Sequence, residues 1–300
     1  MRVLVTGASG FIGSAVVPEL IGAGHQVVGL ARSDASAAAL VAAGATVHRG
    51  ALDDLDSLRA GAAASDGVIH LAFIHDFSAY EAATQIDQRA IETLGAALEG
   101  SDRPLVIASG LLGLPAGRVG TERDMPTPEA AGPRGAGARA ALALATRGVR
   151  AAIVRLAPSV HDEGDSGFVA TLIGITRQRG VSGYIGDGSN RWPGVHRRDA
   201  AHLFRLALEQ APAGAVLHGV ADEGVPVRAI AEVIGRHLDL PVVAIAPEGV
   251  AEHFGWLGAF LAAGIPASNT LTRELLGWQP THPGLIADLD QGHYFRTPAK

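Results

Sequence analysis

The sequence predicts an α/β protein built on a doubly wound parallel sheet. Two observations lead to this prediction. Short apolar runs rich in branched residues alternate along the chain with longer segments of helical periodicity, which is the pattern of consecutive βαβ units. The first apolar run, Val3 to Val5, is followed by a turn with glycines at positions 7, 10 and 13, and then by an amphipathic segment that ends near Gly22.

The remaining elements continue this alternation. Strands are expected at residues 25–30, 45–48, 67–71, 104–109, 150–156 and 215–220. Helices are expected at residues 35–43, 54–64, 78–98, 136–146, 168–177 and 227–237. Residues 110–136 are rich in glycine and proline. We interpret them as an active-site loop, because loops of this length in compact domains usually have a function.

The composition narrows the class of function. The chain has 300 residues, a net charge of −6 and no cysteine. The lack of cysteine excludes disulfides, thiolate catalysis and Cys-ligated metals, and the acidic balance gives no basic surface for nucleic acid. No apolar run reaches the ~18 residues of a membrane span, and no signal-like segment is present. We therefore expect a cytoplasmic protein without nucleic-acid, membrane or metal partners.

The glycine turn is typical of a phosphate-binding loop. Gly7 allows the chain to turn sharply out of the strand, Gly10 allows backbone N–H groups to approach a pyrophosphate, and Gly13 allows the helix to pack closely on the sheet. The helix N-terminus then directs unpaired N–H groups and a partial positive charge at the phosphates. The position of the turn, between a predicted strand and a predicted helix, favours a dinucleotide site over an ordinary glycine-rich turn.

The segment from Thr6 to Gly13, Thr-Gly-Ala-Ser-Gly-Phe-Ile-Gly, resembles the nucleotide-binding signature of the extended short-chain dehydrogenase/reductase superfamily, which includes the NAD-dependent epimerases and dehydratases. The resemblance covers most of the chain. It implies a Rossmann-type sheet that binds a nicotinamide dinucleotide, and a smaller C-terminal substrate-binding domain. The cofactor contacts implied within the signature are Thr6, Gly7, Ser9, Gly10, Phe11, Ile12 and Gly13.

The resemblance also implies where the two domains begin and end. Residues 1–156 form the expected dinucleotide-binding domain, to which residues 195–222 return. Residues 157–194 and 223–300 form the expected substrate-binding domain. Asp199 resembles the family's acid that caps the helix leading back to the nucleotide domain, so we expect it to be an N-cap.

Arg32 and Ser33 follow the second strand, where folds that select NAD usually present an acid to the ribose 2′-hydroxyl. A guanidinium beside a hydroxyl is suited to a 2′-phosphate instead. We therefore predict NADP(H) as the cofactor in preference to NAD(H). The alternative is that Arg32 is only a solvated loop charge. Asp34 is expected to cap the helix that follows.

Two further loops are implied cofactor contacts. After the third strand the family usually has an acid that binds the adenine edge, and here Ala51 takes its place. Asp53 either substitutes for that acid or caps the next helix. The other implied contacts are Leu52 in the same loop and Leu71, Ala72 and Phe73, which resemble the loop that passes beneath the cofactor.

Histidines occur at the end of the fourth strand. His70, within the strand, is interpreted as a core histidine whose hydrogen bonds are satisfied. His75 and Asp76 lie just past the carboxyl end of the strand, where open α/β sheets bind ligands. They are interpreted either as site residues or as part of a solvated loop.

Ser109 ends the fifth strand, where the family has a Ser or Thr that hydrogen-bonds the substrate carbonyl. Active members carry Tyr-x-x-x-Lys at the start of the next helix. At the corresponding positions this chain has Arg134 and Ala138, and its only lysine is Lys300. No realignment therefore recovers the pair. On the preceding helix, Asp87 stands where the family often has an asparagine that helps to relay protons.

These residues predict an NADP(H)-dependent oxidoreductase that transfers hydride to a small carbonyl or imine. Ser109 polarises the substrate in this scheme, and Arg134 stabilises the developing oxyanion. A guanidinium does not readily donate a proton, because its pKa exceeds about 12. Histidine titrates near the operating pH and is a better donor. The candidate donors are His161, Tyr184, His196, His75 and an ordered water.

Two alternative functions stay open. A nucleotide-sugar epimerase or dehydratase needs repeated proton transfer at the position of the missing tyrosine. A non-catalytic NADP(H)-binding sensor needs neither residue of the missing pair. The resemblance further implies a homodimer formed through the helices near residues 78–98 and 136–146.

Overall fold

The computed structural model describes residues 1–75 and 79–296. Its strands are β1 Arg2–Thr6, β2 Gln26–Ala31, β3 Thr46–Arg49, β4 Gly67–His70, β5 Pro104–Gly110, β6 Arg150–Leu156, β7 Ser159–His161, β8 Ser182–Ile185, β9 Arg191–His196, β10 Ala215–Gly219, β11 Asp222–Pro226 and β12 Val242–Ile245. Its α-helices are α1 Gly13–Gly22, α2 Asp34–Ala42, α3 Leu55–Ala63, α4 Tyr80–Leu98, α5 Pro128–Ala131, α6 Gly135–Ala143, α7 Phe168–Arg179, α8 Arg197–Gln210, α9 Val227–Leu238, α10 Val250–Phe254, α11 Leu257–Ala262, α12 Thr270–Leu276 and α13 Leu285–Asp290.

Seven of the described strands form one parallel sheet in the order β10-β6-β5-β4-β1-β2-β3. The chain runs outward from β1 to β3 and then returns to β4 on the other side of β1, so the strand order reverses between β1 and β4. In open α/β sheets, the carboxyl ends of the strands at such a reversal form a ligand-binding crevice. Thr6 and His70 are register partners at the ends of β1 and β4, and they lie at this crevice.

The burial of β1 explains why its sequence is apolar throughout. Val3 and Val5 pack with Val17 of α1 on one face of the sheet, whereas Leu4 packs with Leu58 of α3 on the other face. All five side chains are fully buried. Successive side chains of a strand point to opposite faces, so a strand covered by helices on both sides needs an apolar residue at each position. Each such side chain contributes about 1.5–3 kcal/mol by its burial.

The C-terminal part of the chain contributes a second hydrophobic core. There β11, β9 and β7 form a three-stranded sheet, and β12 pairs with β8. Trp192, Phe254 and Leu257 are buried in this core among apolar side chains of α7, α9 and α13. Leu276 and Trp278 return instead to the core of the main sheet. The domain boundaries given above stay a prediction.

The helices α4 and α6 pack together on the sheet face opposite α1. The predicted start of α4 at Ser78 lies outside the described residues. The helix α6 ends earlier than predicted, at Ala143, and a 3-10 turn continues to Arg147. A membrane-crossing helix is not found among the described residues, since none combines the necessary length with low polarity.

The start of α2 differs by one residue from the prediction. The hydroxyl of Ser33 accepts the backbone N–H of Ser36 at 3.2 Å, so Ser33 is the N-cap. Asp34 lies in the first turn, and its carboxylate pairs with Arg49 at 2.6 Å. The prediction of Asp34 as the cap was wrong, because the serine one position earlier already reaches the N–H group that the cap must satisfy.

The start of α8 also differs. His196 is its N-cap, with Nδ1 accepting the N–H of Arg198 at 3.2 Å. Asp199 lies in the first turn, where its carboxylate accepts the N–H groups of Thr281 and His282 at 3.0 and 3.1 Å. The prediction of Asp199 as the cap was wrong, because this carboxylate is turned toward the closing segment of the chain and holds it against α8.

Candidate active site

The glycine turn after β1 leaves no room for a side chain at two positions. Gly7 has a φ of +69°, and a Cβ there would lie 2.7 Å from the backbone nitrogen of Ala72. A Cβ on Gly13 would lie 2.1 Å from the carbonyl oxygen of Gly7. Both positions therefore require glycine. As a result, α1 begins in direct contact with the turn.

The start of α1 is open to a ligand. Ser9 and Gly10 are exposed, and no side chain caps the first turn of the helix. The first N–H groups of a helix lack partners within it and carry a partial positive charge. The turn therefore offers backbone donors at the crevice between β1 and β4, an arrangement that fits the pyrophosphate of a dinucleotide. All seven signature residues expected to contact the cofactor lie in or next to this turn.

Beyond β2, Arg32 is exposed and has no hydrogen bond or ion pair with another described residue. The hydroxyl of Ser33 is already engaged in capping α2. Of this predicted pair, Arg32 is thus the side chain that is available to a 2′-phosphate.

The loop after β3 contains the acid that caps α3. Asp54 caps α3, with Oδ1 accepting the N–H of Ser57 at 3.1 Å. The capping alternative for Asp53 is therefore wrong. Asp53 is exposed, and Leu52 beside it is partly buried. Both stay predicted contacts of the adenine end of the cofactor.

A buried hydrogen-bond chain joins the end of β1 to α4. The hydroxyl oxygen of Thr6 accepts the N–H of Ala72 at 3.3 Å and lies 2.9 Å from Nδ1 of His70. Nε2 of His70 lies 3.1 Å from Oδ1 of Asp87. With Asp87 ionised, Thr6 donates its single proton to Nδ1, and His70 donates the proton on Nε2 to the carboxylate. His70 is thus a core histidine with both ring nitrogens bonded, as the sequence indicates.

Arg134 lies immediately before α6, with its guanidinium carbon 3.9 Å from the centre of the Phe73 ring. It makes no hydrogen bond or ion pair within the described part of the chain, and its Nε is buried. Since buried N–H groups are nearly always bonded, the unbonded Nε is a candidate donor to a ligand. Burial lowers the pKa of Arg134, and the negative charge of Asp87 opposes this effect.

A cavity of about 70 Å³ opens beside Arg134 at the end of β5. Part of its wall comes from the predicted active-site loop. Arg155 of β6 fixes this loop by donating to the carbonyl oxygen of Asp124 at 2.8 Å. The residues that line the cavity are Tyr80, Ser109, Gly110, Leu112, Met125, Pro126, Ala131, Arg134, Gly135, Ala138, Arg139, Leu142, Ile153 and Arg155.

Tyr80 lines this cavity and was not among the residues that the sequence predicted for the site. It is the first residue of α4, and its ring centre lies 6.1 Å from that of Phe73 in an edge-on contact. Burial raises the pKa of Tyr80, while the charge of Arg134 lowers it and that of Asp87 raises it. The only signal in the sequence was the scarcity of tyrosine, of which the chain has three.

His75 lies at the edge of the same group of side chains. Its ring centre is 5.2 Å from that of Phe73. Partial desolvation and the charge of Arg134 lower the pKa of His75, so the imidazole is mostly neutral at neutral pH. Asp76, which was considered with it, lies outside the described residues.

The other predicted proton donors are not among the residues that line this cavity. His161 is fully buried, with Nδ1 2.9 Å from Oδ2 of Asp288. His196 caps α8 and stacks on His282 at a ring distance of 4.6 Å. Tyr184 lies in β8, where the guanidinium carbon of Arg228 is 5.4 Å from its ring centre. The structure thus brings Ser109 and Arg134 together but keeps these three apart from them.

Asp162, His196 and Asp288 place ligand atoms within 4.8 Å of one another. The hydrogen bonding of His196 does not suit a metal ion, however. Its Nδ1 accepts the N–H of Arg198 at 3.2 Å, so the neutral ring carries its proton on Nε2. Nε2 is the atom that faces Asp162, at 3.6 Å, and it has no lone pair to offer a cation. The three residues are better described as a buried polar cluster.

The parallel sheet, its strand reversal and the glycine turn at the reversal define the Rossmann-type class of α/β proteins. Solved structures share this fold. MoeE5 in complex with UDP-glucose and NAD has a TM-score of 0.73 and 23% identity, with 98% of this chain and 97% of that chain covered. DesIV, a dTDP-glucose 4,6-dehydratase from Streptomyces venezuelae with NAD and TYD bound, has a TM-score of 0.75 and 20% identity, with 97% and 96% covered.

Sequence comparison identifies the family within this class. The profile of the NAD dependent epimerase/dehydratase family matches residues 3–95. The uncharacterized protein C2A9.02 of Schizosaccharomyces pombe is 50% identical over 297 residues, which cover 98% of this chain and 100% of that protein. The uncharacterized protein YLL056C of Saccharomyces cerevisiae is 45% identical over 291 residues, with 96% and 98% covered. The chain belongs to the NAD-dependent epimerase/dehydratase family, and the predicted fold class and family are confirmed.

Proposed function

We propose that the protein is an NADP(H)-dependent reductase that transfers hydride from the nicotinamide to a small carbonyl or imine. The observation that carries this proposal is the position of Arg134, which lines the same cavity as Ser109 and makes no hydrogen bond or ion pair with the described residues. A free cationic donor beside a strand-end hydroxyl is an arrangement suited to an oxygen atom that gains negative charge during the reaction.

The cofactor assignment has separate support. The glycine turn offers backbone donors for a pyrophosphate, and several solved structures of the same fold were determined with NAD bound. Exposed Arg32 favours a 2′-phosphate, and no acid occupies the adjacent loop positions 31–33. When bound, the reduced nicotinamide supplies the hydride.

The residues of the chain have distinct roles in this scheme. The Ser109 hydroxyl donates a hydrogen bond to the substrate oxygen and polarises the bond to the carbon that receives the hydride. Arg134 stabilises the oxyanion as it develops, an electrostatic effect of about 3–4 kcal/mol for a single well-placed donor. The guanidinium stays protonated throughout, so the proton that completes the reaction comes from another group.

The test is a screen for NADPH consumption with ketones, aldehydes and cyclic imines, in which S109A and R134A accompany the wild-type protein. We expect at least one substrate class to be reduced, with a fall of about 10²–10³-fold in kcat for each variant. Firm NADPH binding without turnover of any substrate would favour the non-catalytic sensor instead.

A nucleotide-sugar epimerase or dehydratase is the second candidate, because MoeE5 was solved with UDP-glucose and DesIV is a dehydratase of a nucleotide sugar. This function needs repeated proton transfer at the position that Arg134 occupies, and a guanidinium does not readily donate a proton, so it ranks second. Incubation with UDP- and dTDP-hexoses and analysis of the products distinguishes the two functions.

A further inference from the structure

We propose that Tyr80 is the proton donor of the reaction and that Arg134 stabilises the phenolate that remains after the transfer. This inference rests on the reductase function proposed above and supplies the group that the scheme lacks. In the Tyr-x-x-x-Lys pattern the proton donor and the cation beside it lie on one helix. Here the donor Tyr80 begins α4, and the cation Arg134 directly precedes α6.

The first support is that three polar side chains from separate elements line the same cavity. Tyr80 comes from the start of α4, Ser109 from the end of β5 and Arg134 from the residue before α6, yet all three line one cavity. Tyr80 is the only tyrosine among the lining residues of that cavity, and no histidine lines it. It is therefore the acid of suitable strength that this cavity presents beside Ser109.

The second support is the position of Phe73. Its ring lies against the guanidinium of Arg134 at 3.9 Å and against the ring of Tyr80 at 6.1 Å. Phe73 thus contacts both groups. Its attachment to the loop after β4 connects them to the carboxyl end of the strand that borders the glycine turn.

The charges around Tyr80 suit a donor that loses its proton only briefly. Desolvation raises the pKa of the Tyr80 phenol, and the charge of Asp87 acts in the same direction. The positive charge of Arg134 favours the phenolate, so it lowers the free energy of removing the proton from Tyr80. His75, Arg139 and Arg155 also face this region, and each is neutral or positive near pH 7, so none opposes the phenolate.

The step balances without a further reactant. Hydride leaves C4 of NADPH and bonds to the carbonyl carbon, and the π electrons of the C=O bond move to oxygen. That oxygen takes the hydroxyl proton of Tyr80, which yields the alcohol and NADP⁺. The phenolate then takes a proton from solvent, and Tyr80 is restored.

The activity test uses Y80F on the full chain with the best substrate of the screen. We expect kcat to fall by about 10²–10⁴-fold, while calorimetry shows unchanged NADPH binding. Y184F is the matched comparison. A normal kcat for Y80F, or a larger loss for Y184F than for Y80F, would overturn the role of Tyr80 and leave the reductase function intact.

A second measurement needs no substrate. Tyrosine is labelled with ¹³C at Cζ, and the Tyr80 signal is assigned with Y80F and followed with pH in the presence of NADP⁺. We expect R134Q to raise the pKa of Tyr80, whereas R89Q, which alters an exposed arginine on α4, leaves it unchanged. An unaltered Tyr80 titration in R134Q would overturn the pairing. A wild-type protein that binds NADPH but reduces nothing would overturn the reductase function and the donor role together.

Discussion

The guanidinium carbon of Arg134 lies 3.9 Å from the centre of the Phe73 ring, so an arginine at the start of one helix rests on an aromatic residue that follows a distant strand. Cation–π contacts of this kind contribute about 0.5–2 kcal/mol, more when both groups are desolvated. We therefore predict that F73L lowers kcat/KM for the reduced substrate by roughly 3- to 30-fold, because Arg134 loses the surface that positions it.

Steady-state kinetics checks this prediction. R134K serves as the companion variant, since it keeps the positive charge and loses the planar face that stacks on the ring. If F73L showed wild-type kcat/KM, the contact would have no part in positioning Arg134.

Cofactor preference follows from Arg32. A charge-assisted hydrogen bond to a phosphate contributes about 1.5–3 kcal/mol, so R32A is expected to weaken NADPH binding by roughly 10- to 150-fold and to leave NADH binding nearly unchanged. Calorimetric titration with each nucleotide measures both affinities. R49A is the control, because Arg49 is an exposed arginine nearby that is already paired with Asp34 at 2.6 Å. Equal losses for both nucleotides in R32A would contradict selection of the 2′-phosphate by this residue.

Gly13 and Gly22 lie at opposite ends of α1 and allow a controlled comparison of alanine substitutions. A Cβ on Gly13 would lie 2.1 Å from the carbonyl oxygen of Gly7, whereas a Cβ on Gly22, at the other end of the helix, meets nothing within 4 Å. We predict that G13A destabilises the protein by about 1–3 kcal/mol and abolishes dinucleotide binding. G22A should instead be neutral or stabilise it by up to about 1 kcal/mol. Urea unfolding gives both values, and similar effects for the two variants would show that α1 does not depend on close contact with the turn.

The stability of the protein near neutral pH should depend on His196. Burial lowers the pKa of His196 in the folded protein, so the unfolded chain takes up a proton at this residue at a higher pH than the folded one. Stability contributed by the neutral ring is thus present above the unfolded value of about 6.5 and is lost as the pH falls through it. Protonation also removes the lone pair of Nδ1 that caps α8.

H196N keeps a capping acceptor without a titrating group. We expect the loss of unfolding free energy between pH 7.5 and 5.5 to be smaller in H196N than in the wild type, as measured by urea unfolding at the two pH values. An identical loss in both proteins would exclude His196 as a source of the pH dependence.

Local sequence information was sufficient for most of the sheet and for the cofactor turn. The apolar run from Val3 to Val5 favoured a strand buried on both faces, and the spacing of Gly7 and Gly13 indicated a close turn-to-helix contact. Helix caps were less certain, because Ser33 and Asp34 are both good capping residues and differ by one position. Ser33 is the cap because its hydroxyl oxygen reaches the N–H of Ser36.

The candidate site was harder to predict because its groups meet only in three dimensions. Ser109 and Arg134 were predicted from the family resemblance, and both line the cavity at the end of β5. Tyr80 carried no local signal, since nothing in its neighbourhood shows that the start of α4 faces the end of β5. The link between Thr6 and Asp87 through His70 depends on the register of β1 and β4, which the sequence pattern does not specify.

The return of Trp278 to the main-sheet core affects how the protein can be divided. Its ring is fully buried among the apolar side chains of the larger lobe, and its Nε1 donates to the carbonyl oxygen of Asp199 at 3.0 Å. A truncated chain that stopped after residue 222 would leave a void the size of an indole beneath α8. Chimeras with relatives should therefore keep the segment around Trp278 matched to the main sheet and α8, because loss of this contact leaves a cavity in the core.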